Sequence, residues 1–270
     1  MSDPRTSRHP VEHRALALVE LGAISHVVVA SCTGFVAPGI DQIITRRMGL
    51  APSVERLLVG FMGCYAAVAA LRSARHIVRS DPAARVLVVT VELSTLHLQE
   101  ATKLEPLLAM LQFGDGAAAA LVTADPSGFA LEAPFATTLP DSHELIRWDI
   151  TDRGFAMHLS GEVPARIAAG LADPEFAAAA TGGRDPAQVD GWAVHAGGRS
   201  ILDAVERALH LPHDALAASR GVLEEVGNMS SATLMFVLER LLSAPRIDCG
   251  VALAFGPGLA AEGFRFRSAP

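Results

Sequence analysis

Six short valine- and alanine-rich runs, continuous rather than alternating in polarity, constrain the fold of this chain more than any other feature. They are Ile24–Ser31, Leu57–Phe61, Val86–Val91, Ala117–Thr123, Trp192–His195 and Val251–Phe255. A strand that is apolar on both faces belongs in a sheet covered on both sides. Helical patterns lie between the runs, at Asp41–Met48, Cys64–Val78, Ile201–Leu209 and Met229–Leu242. The alternation predicts a layered α/β fold. With 270 residues, half of them hydrophobic and 19% charged, the chain can bury a large core. Only the polar first dozen residues fall outside that expectation. The segment Thr138–His143 reads as a loop, and no linker or low-complexity stretch divides the chain.

A low-identity internal repeat runs through the sequence. Residues Ile24–Ala30 lie on Val189–His195 without a gap, and each copy then reaches a helix beginning near Gly63-Cys64 or Gly227-Asn228. The copies close on FGDGAAAALV, from Phe113, and AFGPGLAAEG, from Ala254. A duplication of this kind brings two helix N-termini, one with Cys64 and one with Asn228, around a shared centre.

Bulk properties exclude several functions. A formal charge of −7 argues against general nucleic-acid binding, which needs a basic face. Three cysteines, Cys32, Cys64 and Cys249, lack metal-ligand spacing and point to a reduced cytoplasmic protein with a free thiol. The start MSDPRTSRHPVEHR has no apolar signal core. The uncharged stretch from Leu57 to Leu71 is interrupted by Gly60 and Gly63 and is shorter than the roughly 20 residues a spanning helix needs, so no integral membrane association is expected.

Three residues carry the chemistry. Cys64, at an expected helix start, would feel the positive end of the macrodipole and unpaired N–H groups, which favour a thiolate. Gly60 and Gly63 allow the tight turn that exposes it. His195 ends an apolar strand and precedes Ala196-Gly197-Gly198, a setting that leaves room for its ring. It can pair with the thiolate as an imidazolium, or donate Nε2–H to a thioester oxygen. Asn228, beside Gly227 and Ser230-Ser231, sits at an expected helix N-cap, where its carboxamide either caps the helix or donates to an oxyanion. A packed thiol, a core histidine and a capping asparagine are the ordinary readings of each residue alone. FGDG and FGPG match neither a Walker A loop nor a GxGxxG fingerprint, and they read as turns that shape a cavity, with Asp115 among them.

Together these segments resemble the type III polyketide synthases, the chalcone synthase-like branch of the thiolase superfamily. The likeness runs from about Ile24 to Phe266 and rests on SCTGFVAPG, the Cys64 motif, VLVVTVEL, FGDGAAAA, GFAMHLSGEVP, the His195 motif, GNMSSA and FGPG. It implies a thiolase-like αβαβα fold of two pseudo-repeated halves, residues 1–145 with the nucleophile and 146–270 with the His and Asn. It implies Cys64 as the acyl-accepting nucleophile and His195 with Asn228 as oxyanion donors. Phe113 matches a gate between the CoA tunnel and the cavity, Met157 matches a second gate position, and Cys32, Thr33, His97 and Ser230 are expected to line the cavity. The implied reaction is decarboxylative condensation of malonyl-CoA onto a starter acyl group, in a homodimer that uses CoA thioesters and no cofactor or metal.

Departures from the family pattern refine the expectation. HAGG carries Ala196 and AFGPG carries Ala254, and Ala37 stands where plant members send a methionine across the dimer interface. SCTGF, LHLQ and WDITDRGFAMHLS look more like bacterial enzymes that make alkylpyrones or alkylresorcinols from fatty acyl-CoA. Only 30 residues precede Ser31, fewer than in the family, so an incomplete N-terminal half is expected, with a core strand and basic CoA contacts missing. Two other readings stay open: a ketoacyl-ACP synthase III-like condensing enzyme, and an impaired homologue that serves only as a dimerisation partner.

Overall fold

The computed structural model describes residues 23–270 except 103 and 153. The polar N-terminal dozen, including the start without an apolar signal core, lies outside the described residues. Two four-stranded sheets dominate the architecture. In the first, β1 (His26–Ser31) lies between β2 (Glu55–Gly60) and β3 (Val86–Glu92), parallel to both, and β4 (Gly116–Val122) runs antiparallel along β3. In the second, β8 (Gly191–Val194) is parallel to β9 (Gly250–Gly256). Beyond β9, β10 (Ala260–Ser268) and β5 (Phe129–Thr138) follow in antiparallel pairing. A separate hairpin joins β6 (Ile146–Thr151) to β7 (Gly154–Leu159).

Eight α-helices are described: α1 (Ile40–Met48), α2 (Ala66–Ser80), α3 (Leu104–Leu111), α4 (Val163–Leu171), α5 (Pro174–Thr181), α6 (Arg199–Ala208), α7 (Ala217–Val226) and α8 (Ser231–Leu242). Helices α2 and α8 fill the space between the sheets. Val28, Val86 and Val88 of the first sheet and Ala252, Ala254, Phe264 and Phe266 of the second close on them. α2 is almost all alanine on its first turn and a half, from Ala66 to Ala70, and every one of those residues is buried. Small side chains let it approach two sheets at once, while Leu234 and Val237 of α8 supply bulk. Each such fully buried Val or Leu stabilises by about 1.5–3 kcal/mol.

The outer faces have their own cores. Val27, Val29 and Leu87 pack with Ile44 and Met48 of α1. On the far side, Trp192, Val194, Leu253 and Phe255 pack against Ile167, Leu202 and Leu216. The result is the five-layer αβαβα arrangement, and all six apolar runs become strands or the residues that bound them.

Local departures from the sequence pattern have clear causes. Cys64 lies in a 3₁₀ turn, Gly63–Tyr65, and the α-helix begins only at Ala66. β10 is not an apolar run because Glu262, Arg265 and Arg267 interrupt it. Glu262 is ion-paired with Arg72 of α2, at 2.8 Å, and Arg267 with Glu132 of β5. β5 carries Pro134 and a left-handed Ala133 opposite a register shift in β10, so its bulge hides the strand from periodicity. Thr138 ends β5, and the expected loop follows it.

Candidate active site

The pseudo-repeat brings three loops to one place. Cys64 stands in the turn after β2, His195 immediately after β8, and Asn228 in the connection from α7 to α8. All three line one cavity of about 590 Å³ between the halves. Phe113, Met157 and Ser230 line it as well.

The Cys64 turn depends on glycine at two points. Gly63 has φ +69°, and a Cβ there would collide with the ring of Pro257 in the FGPG turn. A Cβ on Gly256 would stand 3.2 Å from the Cys64 amide nitrogen and closer still to the Tyr65 ring. The loop of the second half therefore seats directly on the nucleophile turn of the first.

His195 is held by its backbone, whose N–H donates to the Leu253 carbonyl at 2.8 Å. The ring is 2% exposed in residue terms, and neither ring nitrogen has a hydrogen-bond partner among the described residues. Burial lowers its pKa to about 4. The Cys64 thiol is pushed up to about 12, chiefly by burial and further by Glu92, while a hydrogen bond from Ser230 opposes the rise. These directions favour a neutral thiol and imidazole over the expected thiolate–imidazolium pair. The thiol sits in a 3₁₀ turn ahead of the α-helix; Cys64 is half-buried and His195 fully buried, and desolvation disfavours the charged form of each.

Asn228 is not the N-cap of α8; Ser230 is, with φ 49°. The Asn228 Oδ1 accepts the Ser230 N–H at 2.8 Å, and its Nδ2 donates to the Gly197 carbonyl at 3.2 Å. The amide is thus aimed across the cavity, toward the glycine loop that follows His195. Gln112, which the sequence reading did not single out, donates to the same carbonyl at 2.6 Å. Phe113 is tied to this group through the backbone, because Phe113 and Asn228 form a parallel bridge and the Gly114 N–H donates to the Asn228 carbonyl at 2.8 Å.

Cys32, Thr33 and His97 stand behind the cavity lining rather than on it. The Cys32 sulfur accepts the Gly63 N–H at 2.9 Å, and burial beside Glu92 raises its pKa to about 12. His97 Nε2 donates to the Thr33 carbonyl at 2.6 Å, and its ring packs on Phe155 and Trp148. Asp115 takes both the N–H and the hydroxyl of Thr95, at 2.8 and 2.6 Å, and so fixes the turn that carries His97.

The centre of this back layer is Glu92, at 0% exposure. Its carboxyl accepts from Cys32 N–H at 3.1 Å, Thr33 Oγ1 at 2.6 Å and Ser231 Oγ at 2.5 Å. It joins the loop after β1, the end of β3 and the first residue of α8, and so links the half bearing Cys64 to the half bearing Asn228. Burial raises its pKa, and these donors partly offset the rise. A lone carboxylate at the end of the apolar run VLVVTVEL was the available sequence signal.

A five-layer αβαβα fold of two pseudo-repeated halves, with Cys, His and Asn converging at their junction, defines a thiolase-like condensing-enzyme architecture. Residues 17–126 match the N-terminal domain of the chalcone and stilbene synthases, and residues 130–270 match the C-terminal domain. The chain belongs to the chalcone and stilbene synthase family, that is, to the type III polyketide synthases, enzymes of the acyltransferase type.

It is 36% identical to the alpha-pyrone synthesis polyketide synthase-like Pks18 of Mycobacterium tuberculosis, over 95% of this chain and 68% of that protein. Among solved structures it is similar to 1,3,6,8-tetrahydroxynaphthalene synthase from Streptomyces coelicolor, with TM-score 0.88 and 31% identity over 96% of this chain and 76% of that one. It is also similar to PKS-I from the brown alga Ectocarpus siliculosus, with TM-score 0.85 and 33% identity over 92% and 69%.

Proposed function

We propose that the protein extends a fatty acyl starter on Cys64 by decarboxylative condensation with malonyl-CoA, giving alkylpyrone- or alkylresorcinol-type products. The observation that carries this reading is the convergence of Cys64, His195 and Asn228 on one cavity lined largely by apolar side chains. The likeness to an alpha-pyrone synthesis enzyme favours the same product class.

His195 has a part in both steps. A neutral imidazole has one N–H to donate and one lone pair to accept, and with a pKa near 4 it stays neutral at physiological pH. The lone pair takes the Cys64 proton as sulfur attacks the starter thioester, and that proton leaves on the CoA thiol. Malonyl-CoA then loses CO₂, and the electron pair of the broken C–C bond remains as an enolate. His195 N–H and the Asn228 amide donate to the enolate oxygen, a contribution typically on the order of 10²–10³ in rate for one donor. The enolate carbon attacks the Cys64 thioester, the C–S bond breaks, and the chain is two carbons longer. Met157, at the expected second gate, is more pliable than a ring and suits an alkyl chain.

The working form is proposed to be a cytoplasmic homodimer. The β2 edge supports this, since Leu57, Leu58 and Phe61 are 43%, 45% and 56% exposed beside Phe35 at 76%. A row of exposed large apolar side chains on an unpaired strand edge marks an association surface. Among the described residues no helix is long and apolar enough to cross a membrane.

The deciding experiment incubates the protein with malonyl-CoA and a long-chain acyl-CoA. CO₂ release, acylation of Cys64 and an extended product are expected, and Cys64→Ala should lose extension while keeping its fold. Folded protein that neither releases CO₂ nor becomes acylated would refute the proposal, and turnover only with acyl-carrier protein would favour a ketoacyl-ACP synthase III-like activity.

A further inference from the structure

One carbonyl in the cavity accepts from two side chains that come from different parts of the fold. The Gly197 oxygen takes Gln112 Nε2 at 2.6 Å and Asn228 Nδ2 at 3.2 Å, and all three residues line the cavity. The chemistry proposed above uses the Asn228 amide and gives Gln112 no part.

The two hydrogen bonds are unequal. The one from Gln112 is short for an N–H···O bond, and the one from Asn228 is at the long end of the range. Neither partner of the longer bond depends on it for its place. Asn228 is fixed at its other end, where Oδ1 accepts the Ser230 N–H at 2.8 Å. The Gly197 N–H donates to the His195 carbonyl at 2.9 Å, and a Cβ on Gly197 would stand 3.2 Å from His195 Nε2. Gly197 therefore lies against the imidazole nitrogen, and the Asn228 N–H that meets its carbonyl is the one turned toward the ring.

We infer, on the decarboxylative reading given above, that Gln112 is a positioning residue that holds the Gly197 carbonyl so that the Asn228 amide can turn to the enolate. To donate to an oxygen shared with His195, the Asn228 N–H must leave this carbonyl. With Asn228 as its sole donor, the carbonyl would be left bare, and an unsatisfied acceptor opposes the turn. A carbonyl oxygen has two lone pairs, so the Gln112 bond persists when the Asn228 bond is given up. The segment that carries Gln112 holds both ends of the arrangement. Gln112 follows α3 and grips Gly197 through its side chain. The next two residues grip Asn228 through the backbone, by the Phe113 bridge and the Gly114 N–H. A bare carbonyl corresponds to roughly 5–150-fold in rate. Gly197 is half-buried, so the lower part of that range, about tenfold, applies.

The test follows CO₂ release from malonyl-CoA and acylation of Cys64 separately, the second by mass spectrometry. Gln112→Met removes the donor and keeps the bulk, and Gln112→Glu keeps the shape but sets a carboxylate against the carbonyl; either serves alone if the other does not fold. Each should slow CO₂ release at least about tenfold and acylation less than about threefold, because acylation draws on His195 and not on Asn228. In an Asn228→Ala background the same changes should slow CO₂ release by less than about a further twofold, since the amide they serve is gone. Independent, multiplying losses in that double variant would overturn the inference and leave Gln112 a packing residue. Equal slowing of both steps, or wild-type CO₂ release in the folded variants, would overturn it as well. Wild-type protein that releases no CO₂ would remove the decarboxylative reading and this inference with it, whereas the other adverse results leave that reading standing.

Discussion

Replacing Glu92 with alanine tests whether the buried carboxylate is what joins the two halves behind the active site. The substitution removes the acceptor for the fixed Cys32 N–H and for the hydroxyls of Thr33 and Ser231. The hydroxyls can rotate toward other acceptors, but the N–H cannot, and an orphaned buried donor costs about 1–3 kcal/mol. One buried methylene is lost as well, at about 0.8 kcal/mol before any cavity cost. The total is about 2–4 kcal/mol, equivalent to a drop in Tm of roughly 4–16 °C for a domain of this size.

Glu92→Gln keeps the shape and one carbonyl acceptor, so it should cost only about 1–2 kcal/mol. Urea denaturation of the three proteins, compared at constant m, measures both values. The pH dependence adds a second readout. Because burial raises the Glu92 pKa, the folded state holds this proton more tightly than the unfolded chain. Stability contributed by the protonated form is present below the unfolded value and is lost as pH rises through the raised folded value. The glutamine variant should lack that decline. Alanine within about 1 kcal/mol of wild type, or glutamine as damaging as alanine, would refute the assignment.

Three further outcomes are expected. Gly63→Ala must hold a Cβ at φ +69° against Pro257, which should cost about 1–2 kcal/mol for the backbone alone and slow acylation of Cys64 at least tenfold; mass spectrometry of the acyl-enzyme measures it. Arg72→Ala leaves the Glu262 carboxylate buried without its cation and should destabilise by about 2 kcal/mol. That is below the cost for a fully enclosed pair because Arg72 is 28% exposed, and thermal melts read it directly. Leu58→Glu places a charge on the β2 edge and should convert the proposed dimer to monomer in sedimentation experiments, with the fold retained.

Much of the fold was legible in the residues because burial on both faces of a strand leaves a continuous apolar run. The first sheet and the centre of the second could be placed this way, and the repeat set Cys64 and Asn228 at matching points. Periodicity failed at β5 and β10 for a physical reason: their charged residues are paired across strands and layers, with Glu262 to Arg72 and Arg267 to Glu132. A local pattern records no partner that lies distant in sequence.

The site divides in the same way. The sequence alone determined which thiol, imidazole and amide are set among glycines, since those residue types and turns are local features. It also determined the family, because eight short motifs in order are specific. Only the tertiary structure decided that His195 is buried and Cys64 half-buried, and hence that desolvation favours their neutral forms. It alone placed Cys32, Thr33 and His97 behind the cavity and gathered the donors around Glu92. Each of these depends on desolvation or on contacts between residues tens to hundreds of positions apart, which only packing brings together.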